Sequence, residues 1–238
     1  MMNRIYKIVS LALSYPTREL KEAAPDLIAA VRAEPGLGDK AQALLVALIE
    51  DLSDRDLYDA QERYVMLFDR TRALSLHLFE HVHGESRDRG QAMVDLMATY
   101  EDGGFEVGSR ELPDYLPLFL EYLSLRPEAE AADLLGQTAH ILVALKERLR
   151  KRKSIYGNAF AILESLALGK PDRGLVDELL GQPEDDPNDL GALDEIWEEE
   201  AVTFGGNAGE NACGPDRLQR QLRAHTRKPD APAQQPTH

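Results

Sequence analysis

The chain has 238 residues, 43% of them apolar, enough to bury a sizeable core in one large domain or two small ones. A net charge of −15 repels phosphate backbones and excludes nucleic-acid binding as a main function, and a single cysteine, Cys213, excludes any intrachain disulfide or Cys-rich zinc or iron–sulfur site. The longest stretch free of Asp, Glu, Lys and Arg, Leu134 to Leu145, has 12 residues, well short of the roughly 18 that suggest a membrane span.

Leu, Ala, Glu and Arg abound and strand-length runs of Val, Ile and Thr are scarce, which predicts an all-α protein. Ile5, Ile8, Val9, Ala12 and Leu13 recur at the spacing of one helix face and predict a first structural helix ending at Tyr15-Pro16. Arg4 and Lys7 ahead of IVSLALS leave a signal peptide as the other reading. Thr17 caps a short segment, Pro25 opens another carrying Leu27, Ile28 and Val31, and Pro35-Gly36 breaks it. Asp39 is the expected N-cap of a helix with Leu44, Leu45, Leu48, Ile49 and Leu52 inward. Ser53 or Asp54 caps the next, in which Leu57, Tyr58, Gln61, Tyr64, Val65 and Phe68 fall at helical spacing.

Asp69 to Ala73 reads as a connection into a short apolar segment, Leu74 to Val82, broken at Gly84. From about Ser86 a longer helix turns Ala92, Met93, Leu96, Met97 and Tyr100 inward and stops at Gly103-Gly104. Glu111-Leu112-Pro113 leads into a helix with Tyr115, Leu116, Phe119, Leu120 and Leu123, and Pro127 begins the next. Ala131 to Arg152 and Ile155 to Leu168 carry two further amphipathic patterns. The basic run Lys146 to Lys153 reads as a solvated helix end favoured by the helix dipole, with a docking patch as the other reading. The core closes near Leu180, giving an all-helical, single compact bundle over residues 1–181. Residues 182–238 form an acidic, partly disordered tail, with a short helix expected around Leu193 to Ala201. Thirteen of the 42 acidic residues and no Lys or Arg lie between Gly174 and Asp216; elsewhere 29 acidic residues face 27 basic ones.

The densest cluster of polar side chains is LFEHVHGESRDRG, Leu78 to Gly90, with Glu80, His81, His83, Glu85, Arg87, Asp88 and Arg89. Such density suits a metal or catalytic site, or a polar frame that shapes a surface for a partner. His77 and His81 share a helical spacing, and His83 and Glu85 could complete a ligand set; however, HExxH is absent and none of the six histidines is followed by Asp. Glu80, Glu85, Glu111 and Asp114 could supply acid–base chemistry, but Arg87 and Arg89 are placed to bind these carboxylates in fork-like pairs. GxSxG is absent, and no Gly-rich phosphate loop follows a strand. Three readings stand: a metal-dependent helical hydrolase using His81, His83 and Asp88; a structural or adaptor protein whose acidic segment, Glu184 to Glu200, captures basic partners; and a peptide-binding surface. In the last, Tyr115, Leu116, Phe119 and Tyr122 form an apolar groove framed by Glu80, His81, His83, Glu85, Arg87, Arg89, Glu111, Pro113 and Asp114.

SLHLFEHVHGESRDRGQAMVDL at Ser75 to Leu96, ELPDYLPLFLEYLS at Glu111 to Ser124 and IWEEEAVTFG at Ile196 to Gly205 resemble, in the same order, the NarJ-type assembly chaperones of respiratory nitrate reductase. The resemblance covers about residues 3 to 205. It implies an all-helical cytoplasmic chaperone with no catalytic residue, metal or cofactor of its own. Its client would be the N-terminal segment of the nitrate reductase catalytic subunit, held ready for insertion of the molybdenum cofactor and an iron–sulfur cluster before membrane attachment. Molybdenum cofactor delivery proteins would be further partners. Wider relatives that serve exported molybdoenzymes carry an acidic-x-Pro-Asp-His loop. Here Glu111-Leu112-Pro113-Asp114-Tyr115 stands in its place, and Tyr115 for the histidine puts signal-peptide binding of the exported type in doubt.

Overall fold

A computed structural model describes residues 3–82, 87–108 and 111–182, the side chain of Arg87 excepted. The chain divides into two units, Met1–Asp194 and Glu195–His238. The second unit lies outside the described residues, as do His83, Glu85 and the acidic segment Glu184 to Glu200. The expected all-α class is borne out by eleven α-helices, with no strand among the described residues. No helix there is long and apolar enough to cross a membrane.

The helices are α1 (Asn3–Leu13), α2 (Arg18–Arg32), α3 (Asp39–Asp54), α4 (Leu57–Tyr64), α5 (Leu78–Val82), α6 (Arg87–Asp102), α7 (Leu116–Ser124), α8 (Glu128–Gln137), α9 (Ala139–Lys151), α10 (Gly157–Leu166) and α11 (Arg173–Gly181). The apolar stripe of α1 puts Ile5, Val9 and Leu13 wholly inside, where the helix lies along α7 and touches α2, α3 and α10. Ser10, the buried polar residue of that stripe, donates its hydroxyl to the Pro117 carbonyl at 2.6 Å, which offsets its desolvation. On the far side α9 packs against α10 and α11, and α3 against α2 and α10.

Several expected boundaries move. Pro25 opens no new helix: α2 runs unbroken through it from its Thr17 cap. Pro25 is exposed, while Ala24 and Val31 anchor the helix, so loss of the N–H that would have bonded to Lys21 leaves the packing intact. Gly38 rather than Asp39 is the N-cap of α3. Asp56 caps α4 by accepting the Tyr58 N–H at 2.9 Å, where Ser53 or Asp54 was expected. With the helix starting there, Ala60, Tyr64 and Phe68 take the inward positions and Tyr58 points to solvent. After Tyr64 the backbone widens into a π turn over Val65–Asp69, in which the Arg70 N–H bonds to the Val65 carbonyl at 3.1 Å.

The end of α6 follows the expected glycine signal in detail. The Phe105 N–H returns to the Tyr100 carbonyl and the Gly104 N–H to that of Glu101, with Gly104 at φ +70, the left-handed conformation that this closure requires. The basic run Lys146 to Lys153 is not wholly a solvated end. Arg148 is buried and donates to the carbonyls of Ala73, at 2.7 Å, and Leu179, tying α9 to α11 and to the 3-10 turn Arg72–Leu74.

Gly136 makes a close crossing between α8 and the end of α10. A Cβ there would stand 2.3 Å from the Leu168 carbonyl oxygen, whose own N–H bonds to the Ala132 carbonyl. Gly to Ala in a helix ordinarily stabilises by about 1 kcal/mol. Gly136→Ala is predicted instead to destabilise by about 2 kcal/mol, because backbone rather than a mobile side chain must give way. Urea unfolding of the two proteins checks the sign.

Candidate functional site

The polar motif is organised by one carboxylate. Helix α5 begins with Leu78 and Phe79, whose N–H groups have no partner inside the helix. Both bond to Asp114: Leu78 to its backbone carbonyl at 3.0 Å and Phe79 to its Oδ2 at 3.1 Å. The other oxygen, Oδ1, accepts from His77 Nδ1 at 3.1 Å. The Leu116 N–H donates to the Leu76 carbonyl at 2.8 Å, completing a single antiparallel bridge between His77 and Tyr115. Asp114 is 0% exposed and therefore serves as an N-cap supplied from a distant part of the chain.

His81 lies one turn further on, buried, with Nε2 2.8 Å from the Ser75 carbonyl. A carbonyl oxygen only accepts, so Nε2 carries a proton, and the bond by itself favours the charged ring. Burial lowers the affinity of this imidazole for a second proton, and the nearby Arg148 guanidinium adds to that effect. Glu80 meets Arg89 of α6 through one contact at 3.3 Å, each about a fifth exposed, rather than through the two-pronged fork expected. The side chains of Arg87 and Glu85 lie outside the described residues.

The residues expected to line a groove are placed differently. Leu116, Phe119 and Tyr122 are buried, because α7 is apolar on nearly every side and is covered by α1 and by the end of α6. Pro113 is buried too, and its carbonyl accepts the Tyr100 hydroxyl at 2.7 Å. Tyr122 stacks with Tyr100 and Phe105, under the Arg126 guanidinium at 5.0 Å. These side chains brace the motif and do not face an open groove in this conformation. Glu111 is exposed and Tyr115 half-buried.

Tyr115 links the motif to the rest of the bundle. Its hydroxyl lies 2.9 Å from that of Tyr64, which in turn donates to the Leu13 carbonyl at 3.1 Å, so Tyr115 is the donor between the two. Burial keeps both phenols protonated well above the usual tyrosine range. The sequence reading missed Tyr64 and gave His77 only as a metal ligand. Among the described residues no three His, Cys, Asp or Glu side chains come together to hold a metal ion.

The model of the family described as nitrate reductase delta subunit matches residues 34–161. This chain belongs to the nitrate reductase delta subunit family. It is 45% identical over 211 residues to the nitrate reductase molybdenum cofactor assembly chaperone NarJ of Escherichia coli strain K12, covering 89% of this chain and 88% of that protein. It is 41% identical over 201 residues to the probable nitrate reductase molybdenum cofactor assembly chaperone NarW of the same strain, covering 84% of each. It is also 30% identical over 159 residues to the probable chaperone NarJ of Bacillus subtilis strain 168, covering 66% of this chain and 85% of that one. The family expected from the three sequence motifs is borne out.

In this chain the two histidines pull stability in opposite directions with pH. The bond to Asp114 raises the His77 pKa above its ordinary value, outweighing burial. Its contribution to stability is therefore complete below about 6.5, the unfolded value, and is lost as pH rises through the folded value. His81, held neutral, contributes above about 6.5, and that contribution is lost as pH falls toward its depressed folded value. Titration by NMR should place His77 above and His81 below the ordinary imidazole. Asp114→Asn should bring His77 down by removing the largest cause that opposes burial, and Asp114→Ala should lower folding stability by about 2 kcal/mol through loss of the α5 cap.

Proposed function

We propose that this protein is an assembly chaperone of nitrate reductase without a catalytic step of its own. It binds the N-terminal segment of the catalytic subunit in the cytoplasm. There it keeps the apoenzyme open for insertion of the molybdenum cofactor and an iron–sulfur cluster, received from cofactor delivery proteins, before membrane attachment. The observation that carries this reading is the 45% identity, over 88% of its length, to a protein named as a nitrate reductase molybdenum cofactor assembly chaperone.

The geometry supports it. Asp114, His77, Glu80, Arg89 and His81 are engaged with one another or with backbone groups, an arrangement that suits a fixed surface and leaves none of these five groups free for acid–base work. A hydrolase built on His81 would have to break the bond of that ring to the Ser75 carbonyl. In the chaperone reading Tyr115 and Glu111 form the accessible edge of the client surface, and Leu116, Phe119 and Tyr122 support it from beneath.

Co-expression with the catalytic subunit provides the test. The two proteins should purify together when the catalytic subunit is full length, and the complex should be lost when its first residues are deleted. Equal recovery of the truncated subunit would remove N-terminal recognition from the mechanism.

A further inference from the structure

The chain leaves the described bundle beside a basic surface, and the residues that follow are acidic. Helix α11 ends at Gly181, just after Leu179, whose carbonyl accepts from the buried Arg148 of α9. Arg148 also donates to the Ala73 carbonyl, in the 3-10 turn that Arg72 opens. Lys151 and Arg152 follow Arg148 at the i+3 and i+4 positions, so they share its face of α9 about one turn, roughly 5.4 Å, nearer the helix end. Arg72, Lys151 and Lys153 are exposed and Arg152 is half-buried. The dipole of α9 accounts for part of this charge, since a helix C-terminus carries about half a negative charge. Lys146 and Arg150 have carboxylates of the bundle beside them, Glu147 and Glu164. Arg72, Lys151, Arg152 and Lys153 together make a positive face that suits an acidic peptide.

The sequence places such a peptide next to that face. Residues 183–194 hold Glu184, Asp185, Asp186, Asp189 and Asp194 and no Lys or Arg. An extended chain from Leu179 to Asp186 reaches at most roughly 25 Å, far more than the single helix turn that separates Arg148 from Lys151 and Arg152. Pro183 and Pro187 bracket Glu184-Asp185-Asp186. Each proline fixes its own φ and restricts the residue before it, which lowers the entropy lost on docking. The first compact unit of the chain runs to Asp194 and takes in this whole stretch, whereas the second begins at Glu195. The acidic residues that follow α11 therefore group with the bundle.

We propose that Glu184, Asp185 and Asp186 dock on the face of Arg72, Lys151, Arg152 and Lys153 in the same molecule. The face is a binding surface for acidic peptide, and its resident occupant is the chain's own segment. Nothing in this depends on which client the protein serves. Both charged runs of the sequence acquire a role: the basic run is a docking patch, and the near part of the acidic segment is engaged within the chain before any basic partner is met. Exposed ion pairs are worth little singly, so the contact depends on several charges acting together and yields to salt.

Pulsed electron spin resonance on the full chain tests it, with nitroxides at Arg150→Cys and Asn188→Cys in a Cys213→Ser background. At low salt the expected result is one narrow distance distribution, which broadens as salt is raised. Lys151→Glu combined with Arg152→Glu should lose the narrow distribution at low salt. Adding Glu184→Lys, Asp185→Lys and Asp186→Lys should restore it. Restoration by exchanged charges separates pairing from damage to the fold, which an unchanged circular-dichroism melt checks independently, and the salt titration needs no charge reversal. A distribution that is broad at low salt, or that stays narrow when Lys151 and Arg152 are reversed, would overturn the proposal. So would a narrow distribution that vanishes on dilution with excess unlabelled protein, because the segment then reaches a second copy of the chain.

Discussion

The buried carboxylate of Asp114 joins two stretches of chain that lie 35 residues apart in sequence, and the arrangement of the whole motif follows from that junction. A helix of five residues is too short to hold itself in water, where nucleation costs more than its few internal bonds return. Asp114 supplies what α5 lacks: two acceptors for its first N–H groups and a charged partner for the histidine that precedes it. The same bridge fixes the entry to α7 and aims the next residue, Tyr115, at Tyr64. Helix α5 and the loop before α7 thus form one cooperative unit that gains or loses its structure together.

Much of this fold was legible in the sequence because burial imposes a period. The stripe of α1 and the inward leucines of α3 follow from it, and the stop of α6 follows from its glycine pair. The same period misled at α7, where Leu116, Phe119 and Tyr122 fit a groove as well as a core, since spacing records which residues avoid water and not what covers them. Tyr58 shows the converse. A cap at Asp56 shifts the helix phase and turns the ring outward, and caps in runs of Ser and Asp are poorly fixed by sequence alone. The site residues were found as a group, yet their roles depend on long-range pairing. Asp114 was taken for an acid or a frame, and nothing local to Glu111-Leu112-Pro113-Asp114 announces a cap for a helix in another segment.

The buried Arg148 illustrates how one residue can stand outside the pattern of its neighbours. It is the buried charge of the run Lys146 to Lys153, and its side chain crosses the interior and satisfies carbonyls of two other elements. Its charge also bears on His81, so the basic run and the histidine motif, separate features of the sequence, share one electrostatic environment in the fold.

The two ends of α6 are held very unequally. Near its C-terminus Tyr100 is fully buried and bonded to Pro113, Tyr122 and Arg126 bond to the carbonyls of Thr99 and Gly103, and the Gly104 closure finishes the helix. Near its N-terminus the helix meets α5 through the partly exposed Arg89–Glu80 pair, an interaction of small worth in water. Protection of the backbone amides from solvent exchange should therefore be graded along this one helix, with its first turns opening far below the global unfolding free energy and its last turns only near it. Openings of that kind would change the surface next to Glu80 and leave the core beneath α7 in place.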